Sequence, residues 1–251
     1  IKDPETIRQI ALYCISNPND KEISYKIYEP FSFAGLYPDM KAYDIKPFTP
    51  KVDHFDKIEK ILNFSDEDKF YFLQIIKRRK DNPDLGKDMI HLSDYYIYSL
   101  EQFDGLKQRV MSQCDTENAR AYFRLNRRDA KKVAMQVLKV TVDHIMSENY
   151  RAVKNAFASC AGRFHSDPDK TWIVDIDNVS LDFFNHSDKY NSVRELVFEL
   201  QKEAGKEPMM TYIFTKGGIH IITRPFNLNK FREQHPDVDV HKDNPTILYC
   251  P

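Results

Sequence analysis

Long hydrophobic runs are missing from this chain of 251 residues. None approaches the roughly 18 consecutive apolar residues that a membrane-spanning helix needs. No signal-peptide pattern opens the sequence either. These two absences predict a cytoplasmic protein that has no membrane partner.

Cysteine is also scarce. The four cysteines are widely spaced and include no CxxC or CxxH pair: Cys14, Cys114, Cys160 and Cys250. Structural zinc sites and disulfide frameworks need closely grouped ligands or a pattern of paired thiols. The sequence therefore predicts a reduced, intracellular protein that contains neither.

An excess of charge of one sign is absent as well. The formal net charge is −1, so nucleic acid would have to be bound by local basic clusters rather than by an overall field. One cluster, Lys77–Lys80, we interpret as the charged end of a helix rather than a DNA contact. The other cluster comprises Arg124, Arg127 and Arg128, which are expected at a strand-to-helix junction. Two interpretations stay open: they contact the phosphates of a template or a nucleotide, or they lie in a solvated turn.

Residues 1–86 are expected to form an accessory region that is helical and rich in aromatic residues. A short helix is predicted over about 4–15, followed by a Tyr- and Pro-rich stretch that ends at Pro50. Two helices are predicted within 53–80, the second ending in basic residues. The turn-rich segment 81–86 marks the predicted boundary with a second, larger domain at 87–251.

The predicted domain at 87–251 alternates between strands and helices. Its first half has a βαβα pattern, which favours a mostly parallel sheet, with elements at about 91–98, 99–114, 119–126, 129–147 and 149–161. A capping box is predicted to begin the first of these helices at Ser99, and Asp129 is predicted to cap the second. Its second half has the βαββαβ order of an RNA-recognition-motif-like fold, with elements at about 171–177, 189–204, 208–215, 218–224, 227–234 and 237–241, and a further strand near 246–250. We therefore expect an α+β fold.

The βαββαβ order brings distant acidic segments together. Strand 1 of such a unit lies between strands 3 and 4 and is antiparallel to both, so its end meets their beginnings. Asp175 and Asp177 end strand 1, His220 begins strand 3, and an acidic segment begins strand 4. For the third carboxylate the spacing leaves Asp237, Asp239 and Asp243 as alternatives, because Asp237 and Asp239 share one face of a strand.

This grouping has the chemistry of a metal-dependent nucleotidyl-transfer site. Carboxylates that lie close together are stable mainly with cations between them, and Mg²⁺ or Mn²⁺ prefers such oxygen ligands. His220 and Lys216 would hold a triphosphate, which the backbone of Gly217 and Gly218 lets approach closely. Each motif alone is also typical of an ordinary turn, a helix cap or an edge histidine.

At these residues the sequence resembles the archaeo-eukaryotic primase superfamily, the primase-polymerases of phages and plasmids. The resemblance rests on four segments that follow one another in the family's order. They are Ala121-Tyr-Phe-Arg-Leu-Asn126, Trp172-Ile-Val-Asp175-Ile-Asp177, Thr215-Lys-Gly-Gly-Ile-His220 and Val238-Asp239. It implies a primase-polymerase-like module over about 90–251, in a bacterial or phage-infected cell. It also ranks Asp239 first as the third ligand.

Carried over by position, the resemblance implies that Asp175, Asp177 and Asp239 are catalytic metal ligands for Mg²⁺ or Mn²⁺. His220 is then a nucleotide-phosphate contact, and Lys216, Gly217, Gly218, Arg124 and Arg128 are expected to complete nucleotide binding. Three departures stand out: Lys216 replaces a small residue, the family's C-terminal Arg is absent near 244–249, and no zinc-binding module is visible.

The leading hypothesis is a DNA primase-like or polymerase-like nucleotidyltransferase that adds (d)NTPs on a template. Its expected partners are single-stranded or primed nucleic acid, nucleoside triphosphates, and a helicase or another replication protein. The departures favour an alternative, a non-catalytic nucleic-acid-binding module that kept the primase fold, such as a replication-initiation or host-takeover protein. A metal-dependent nuclease ranks last, because the extra Glu and Lys spacing common in nucleases is missing.

Overall fold

The computed structural model describes residues 51–163, 170–177, 188–215 and 217–251. The predictions for residues 1–50 and for Lys216 lie outside these residues. The described chain contains nine strands and seven helices: β1 (Val52–Asp53), α1 (Phe55–Glu59), β2 (Lys69–Arg78), β3 (Met89–Ile97), α2 (Leu100–Glu117), β4 (Arg120–Asp129), α3 (Ala130–Met146), α4 (Tyr150–Val153), α5 (Ala156–Arg163), β5 (Trp172–Asp177), α6 (Asp188–Glu203), β6 (Met210–Phe214), β7 (Gly218–Thr223), α7 (Leu228–Gln234), β8 (Asp239–His241) and β9 (Thr246–Cys250).

The strands form two antiparallel sheets, so the α+β class is correct. The first sheet has the order β1-β9-β4-β2-β3, and every neighbouring pair in it is antiparallel. The prediction of a mostly parallel sheet was wrong, because β2 lies between β3 and β4. These two strands run in the same direction but do not pair with each other.

β2 is a strand where a second helix was predicted, and that prediction was wrong. Its segment Phe70-Tyr-Phe-Leu73 is buried on both faces, since the strand is central in its sheet and packed on each side. The sequence of such a strand is a continuous apolar run, without the alternation of apolar and polar residues that marks a half-buried strand. β2 and β3 pair across the turn at 81–86, so the predicted boundary at 86/87 falls inside a hairpin, within one sheet.

The second sheet follows the predicted topology. Its order is β6-β7-β5-β8, which is the 4-1-3-2 arrangement of a βαββαβ unit that starts at β5. β5 pairs antiparallel with both β7 and β8. The last strand, β9, leaves this sheet and pairs with β4 in the first one.

Local capping fixes two of the helices as the sequence predicted. The Ser99 hydroxyl accepts a hydrogen bond from the Gln102 backbone N–H at 3.2 Å and begins α2. The Asp129 carboxylate accepts from the Lys132 N–H at 2.8 Å and begins α3. The single helix expected at 149–161 is instead two short helices, α4 and α5.

The two sheets share a hydrophobic core. The largest buried cluster joins Leu73 and Phe123 of the first sheet to Ile173, Ile213 and Ile222 of the second. A separate cluster around Phe70 and Phe72 packs α3 and α5 on the opposite face of the first sheet. None of the described helices is long and apolar enough to cross a membrane.

Candidate active site in the cleft between the sheets

The register of the second sheet brings the acidic and histidine motifs together. Asp175 is paired with His220 on one side and with Asp239 on the other. Directly opposed residues of antiparallel strands project to the same face of a sheet, and Asp177 shares that face through its i, i+2 spacing from Asp175. The convergence predicted from topology is therefore confirmed at the level of strand register.

This face forms one wall of an open cleft of about 330 Å³ between the two sheets. The wall from the second sheet is acidic and imidazole-rich, and the opposite wall from the first sheet is basic. The lining residues are Asp175, Asp177, Thr215, Gly217, His220 and His241 on the first of these walls, and Arg78, Lys80, Arg120, Tyr122, Asn244, Pro245 and Ile247 on the other.

Asp175 is the most strongly held carboxylate of the cleft. Its oxygens lie 3.4 Å from the Nε2 of His220 and 3.7 Å from the Nε2 of His241. Partial burial acts to raise the pKa of Asp175, but the two histidines outweigh it, and the pKa lies below its ordinary value. Asp175 therefore presents a negative charge to the cleft at neutral pH.

His220 is positioned by the other sheet. Its Nδ1 lies 2.9 Å from the Thr246 hydroxyl of β9, and this contact turns Nε2 toward Asp175. A histidine fixed at one nitrogen has a defined orientation at the other. Because Thr246 belongs to the first sheet, the contact also ties the two walls together at the cleft.

Two cations of the basic wall, Lys80 and Arg78, have no carboxylate partner among the described residues. Arg120 makes a two-pronged pair with Asp81, with N–O distances of 2.7 and 2.6 Å, and Arg78 donates to the Tyr122 hydroxyl at 3.1 Å. Burial, then the charges of Arg120 and Arg78, lower the pKa of Lys80, while Asp177 acts in the opposite direction. Lys80 is thus the basic side chain most available to an incoming anion.

The three alternatives for the third carboxylate differ in how they are engaged. Asp237 is exposed and paired with Lys189 at 2.6 Å. Asp243 accepts from the guanidinium of Arg128 at 3.0 and 2.8 Å. Asp239 lies beside Asp175 in register and has no hydrogen bond or ion pair among the described residues, but it does not line the cleft.

Arg124 and Arg128 do not line the cleft, although both were expected to bind nucleotide. Arg128 is fully buried and donates to the Ala161 carbonyl at 2.7 Å as well as to Asp243. Arg124 donates to the Asp243 backbone carbonyl at 2.6 Å. Both therefore anchor the β8–β9 loop on β4. The sequence placed both at a strand-to-helix junction, but β4 runs on to Asp129, so that only Arg128 lies near its end and Arg124 lies in its middle.

The two glycines of the turn have different roles. A Cβ atom on Gly218 would lie 2.1 Å from the Ile176 carbonyl oxygen, whereas one on Gly217 would meet nothing within 4 Å. The close approach of β7 and β5 therefore requires a glycine at position 218. Gly217 does line the cleft.

A divalent cation fits the donor set of the acidic wall. Among the described side chains no group of three His, Cys, Asp or Glu residues is arranged to hold a metal ion. Mg²⁺ is usually bound by one or two carboxylates, with waters and substrate phosphates completing its shell. Asp175 and Asp177 supply those two carboxylates on one face, and Lys80 and Arg78 face them from the other sheet.

Sequence reasoning missed the basic wall, and it left His241, which flanks Asp239, undecided between a phosphate contact and solvent. The run Lys77–Lys80 was noticed, but it was assigned to the end of a helix and separated from the catalytic domain. Only the pairing of β2 with β4 brings Arg78 and Lys80 to the cleft. No short motif marks that pairing.

Comparison with protein-family models, with curated proteins and with solved structures gives no match. What this cleft can do must therefore follow from its geometry and from its chemistry.

Proposed function

We propose that this chain is a metal-dependent nucleotidyltransferase of the primase-polymerase type, which adds (d)NTPs to a nucleic acid on a template. The single observation that carries the proposal is the opposition of charges across the cleft. Asp175 and Asp177 face Lys80 and Arg78, an arrangement that suits a ligand carrying cations at one side and phosphates at the other.

The residues have separable tasks in this reaction. Asp175 and Asp177 hold the cations, and His220 and His241 keep the Asp175 carboxylate ionised and oriented. Lys80 and Arg78 bind phosphate oxygens from the opposite wall, and Gly217 leaves room at the turn. The bound cations would lower the pKa of the attacking 3′-hydroxyl and stabilise the leaving pyrophosphate.

Burial strengthens this arrangement. His220 and Asp175 are only 15% and 24% exposed at their side chains, so the negative charge of Asp175 is less screened by water than a surface charge is. Positioning and electrostatic stabilisation supply most of the catalysis in phosphoryl transfer. A cleft with carboxylates on β5 and cations at the end of β2 and in the turn after it meets that requirement.

Extension of a primer tests the proposal. The protein is incubated with a primed template, labelled nucleotides and Mn²⁺. Wild type should extend the primer, and Asp175→Asn or Asp177→Asn should lower the rate on the order of 100-fold or more. Asp237→Asn is the matched control, because Asp237 is paired with Lys189 outside the cleft, and its rate should be unchanged. No extension by wild type, or equal extension by all variants, rules out the proposal.

A second candidate, a non-catalytic nucleic-acid-binding module, is favoured by one observation. Asp175 already has two histidine neighbours, and the described residues hold no ready group of three metal ligands. Binding of single-stranded nucleic acid that depends on salt and survives Asp175→Asn and Asp177→Asn, without metal-dependent binding of nucleotide, would support this candidate over the first.

A further inference from the structure

The cleft has an uncharged part in addition to its acidic and basic walls. Tyr122 of β4 and Ile247 of β9 are directly opposed in strand register, so their side chains project to the same face of the first sheet. Asn244 and Pro245, which precede β9, also line the cleft. The proposed function assigns residues to the cations and to the triphosphate, but it assigns none to the nucleoside.

The Tyr122 ring is half-buried and held at two points. It packs against the hydrophobic core that the two sheets share, and its hydroxyl accepts a hydrogen bond from Arg78 at 3.1 Å. Tyr122 nevertheless lines the cleft, whereas Ile247 is only 4% exposed. An aromatic side chain that is already fixed loses little conformational entropy when a ligand packs on it.

Arg78 places the ring beside the proposed phosphate site. The guanidinium that faces Asp175 and Asp177 across the cleft is the one that contacts the Tyr122 hydroxyl. In a nucleoside triphosphate the nucleoside is bonded directly to the α-phosphate, so it must lie next to the residues that bind phosphate. The cleft volume of about 330 Å³ is within the range of roughly 300–1,000 Å³ for small-molecule sites. Tyr122 is the one aromatic residue among the described residues that line it.

The loop between β8 and β9 is anchored on both sides of its cleft-lining residues. Arg124 and Arg128 donate to the carbonyl and to the carboxylate of Asp243, and Thr246 pairs with β4. The two residues between these anchors therefore have little freedom to move, and the second of them, Pro245, has a fixed φ. The buried arginines thus keep this end of the loop at the cleft.

We propose that Tyr122, Asn244 and Pro245 form the nucleoside subsite of the cleft, in which the base of a bound nucleoside triphosphate packs on the Tyr122 ring. This inference rests on the proposed function. Packing on an aromatic ring does not depend on the identity of the base, because every base has a π-face. A subsite of this kind suits an enzyme in which a template selects the base.

Calorimetric titration of the 251-residue chain with a nucleoside triphosphate and with inorganic tripolyphosphate, both in the presence of Mn²⁺, tests the proposal. The ratio of the two dissociation constants measures the preference for the nucleotide, because contacts to phosphate and to cations are common to both ligands. Tyr122→Leu should reduce this preference by about fivefold or more. The reduction should be similar for all four bases.

Two further variants separate the ring from other effects. Tyr122→Phe keeps the ring but lacks the hydroxyl that contacts Arg78, so the preference for the nucleotide should be retained even if both affinities change. Tyr150→Leu is the matched control, because Tyr150 is 65% exposed and does not line the cleft, and its preference should equal that of wild type. Circular dichroism of each variant confirms that it is folded.

The outcomes distinguish the nucleoside subsite from the proposed function. Tripolyphosphate binding that depends on Mn²⁺, with a nucleotide preference that Tyr122→Leu leaves intact, overturns the subsite and retains the phosphate site. Equal loss of preference in Tyr122→Phe and Tyr122→Leu also overturns the subsite, because the hydroxyl rather than the ring would then make the contact. If wild type binds neither ligand in the presence of Mn²⁺, the proposed function is wrong and the subsite is overturned with it.

Discussion

At Gly218 the two central strands of the second sheet approach more closely than a side chain allows. Gly218→Ala should lower the free energy of unfolding by at least about 2 kcal/mol, because its Cβ would lie 2.1 Å from the Ile176 carbonyl oxygen. Gly217→Ala is the control and should change stability by less than about 0.5 kcal/mol. Urea unfolding of both variants measures these changes in the free energy of unfolding. Equal stability of the two would contradict the close approach.

Arg128 illustrates a buried charge with a structural role. Arg128→Met should destabilise the fold on the order of 3 kcal/mol, because it removes the guanidinium hydrogen bonds to the Asp243 carboxylate and to the Ala161 carbonyl. Arg79→Met is the control, because Arg79 is exposed and its ion pair with the exposed Asp88 is long, at 3.7 Å. Thermal unfolding of both variants gives the comparison. A large change in nucleotide affinity of folded Arg128→Met, without loss of stability, would restore the nucleotide-binding role predicted from the sequence.

At the scale of single elements, the segment between β1 and α1 connects the two sheets. His54 donates from Nε2 to the Phe214 carbonyl of β6 at 2.7 Å, and its own backbone N–H donates to Leu248 of β9 at 2.9 Å. Its Nδ1 is buried and has no hydrogen-bond partner among the described residues. Burial lowers the pKa of His54 below 6.5, although the Phe214 carbonyl opposes the shift.

The lowered pKa of His54 predicts a loss of stability in acid. Between the folded pKa and 6.5 the unfolded chain binds more protons than the folded one, so stability is complete above pH 6.5 and falls as the pH decreases below it. His54→Gln can keep a donor to Phe214 but does not titrate. Chemical denaturation at pH 7.5 and at several pH values down to 5 should therefore show a steeper loss for wild type than for this variant. Parallel curves would contradict the assignment.

Elements differ in how well the sequence predicts them. β5, β7 and β8 were recognised because each is short and bounded by turns, and because the βαββαβ order fixes their neighbours. Asp129 and Ser99 were recognised as caps because capping is local. β2 was missed since a strand buried on both faces has no alternation, and this single error also removed Lys80 from the predicted site.

At the scale of the whole molecule, the site is a product of packing one sheet against the other. His220 and Asp175 were predictable as neighbours, because strand order within one sheet follows from the order of elements. Their opposition to Lys80 and Arg78 depends on how two sheets pack through Ile173, Ile213 and Ile222. No pattern within either half of the sequence encodes that contact.

The opposition of the walls predicts a role for Lys80 in nucleotide affinity. Lys80→Ala should raise the dissociation constant for a nucleoside triphosphate about tenfold or more, because one charge-assisted contact to phosphate is lost. Lys77→Ala is the control, since Lys77 lies 3.5 Å from Glu117 and outside the cleft. Fluorescence titration with a labelled nucleotide measures both. Equal affinities would show that the basic wall does not contact phosphate.

The most direct test of the central claim is calorimetric titration of this 251-residue chain with a nucleoside triphosphate, with and without Mn²⁺. If the cleft holds cations on Asp175 and Asp177 and phosphates on Lys80, wild type binds only when Mn²⁺ is present. The double variant Asp175→Asn/Asp177→Asn, still folded, then shows no Mn²⁺-dependent heat. Nucleotide binding that is equally tight without Mn²⁺, or that the double variant retains, would contradict the claim.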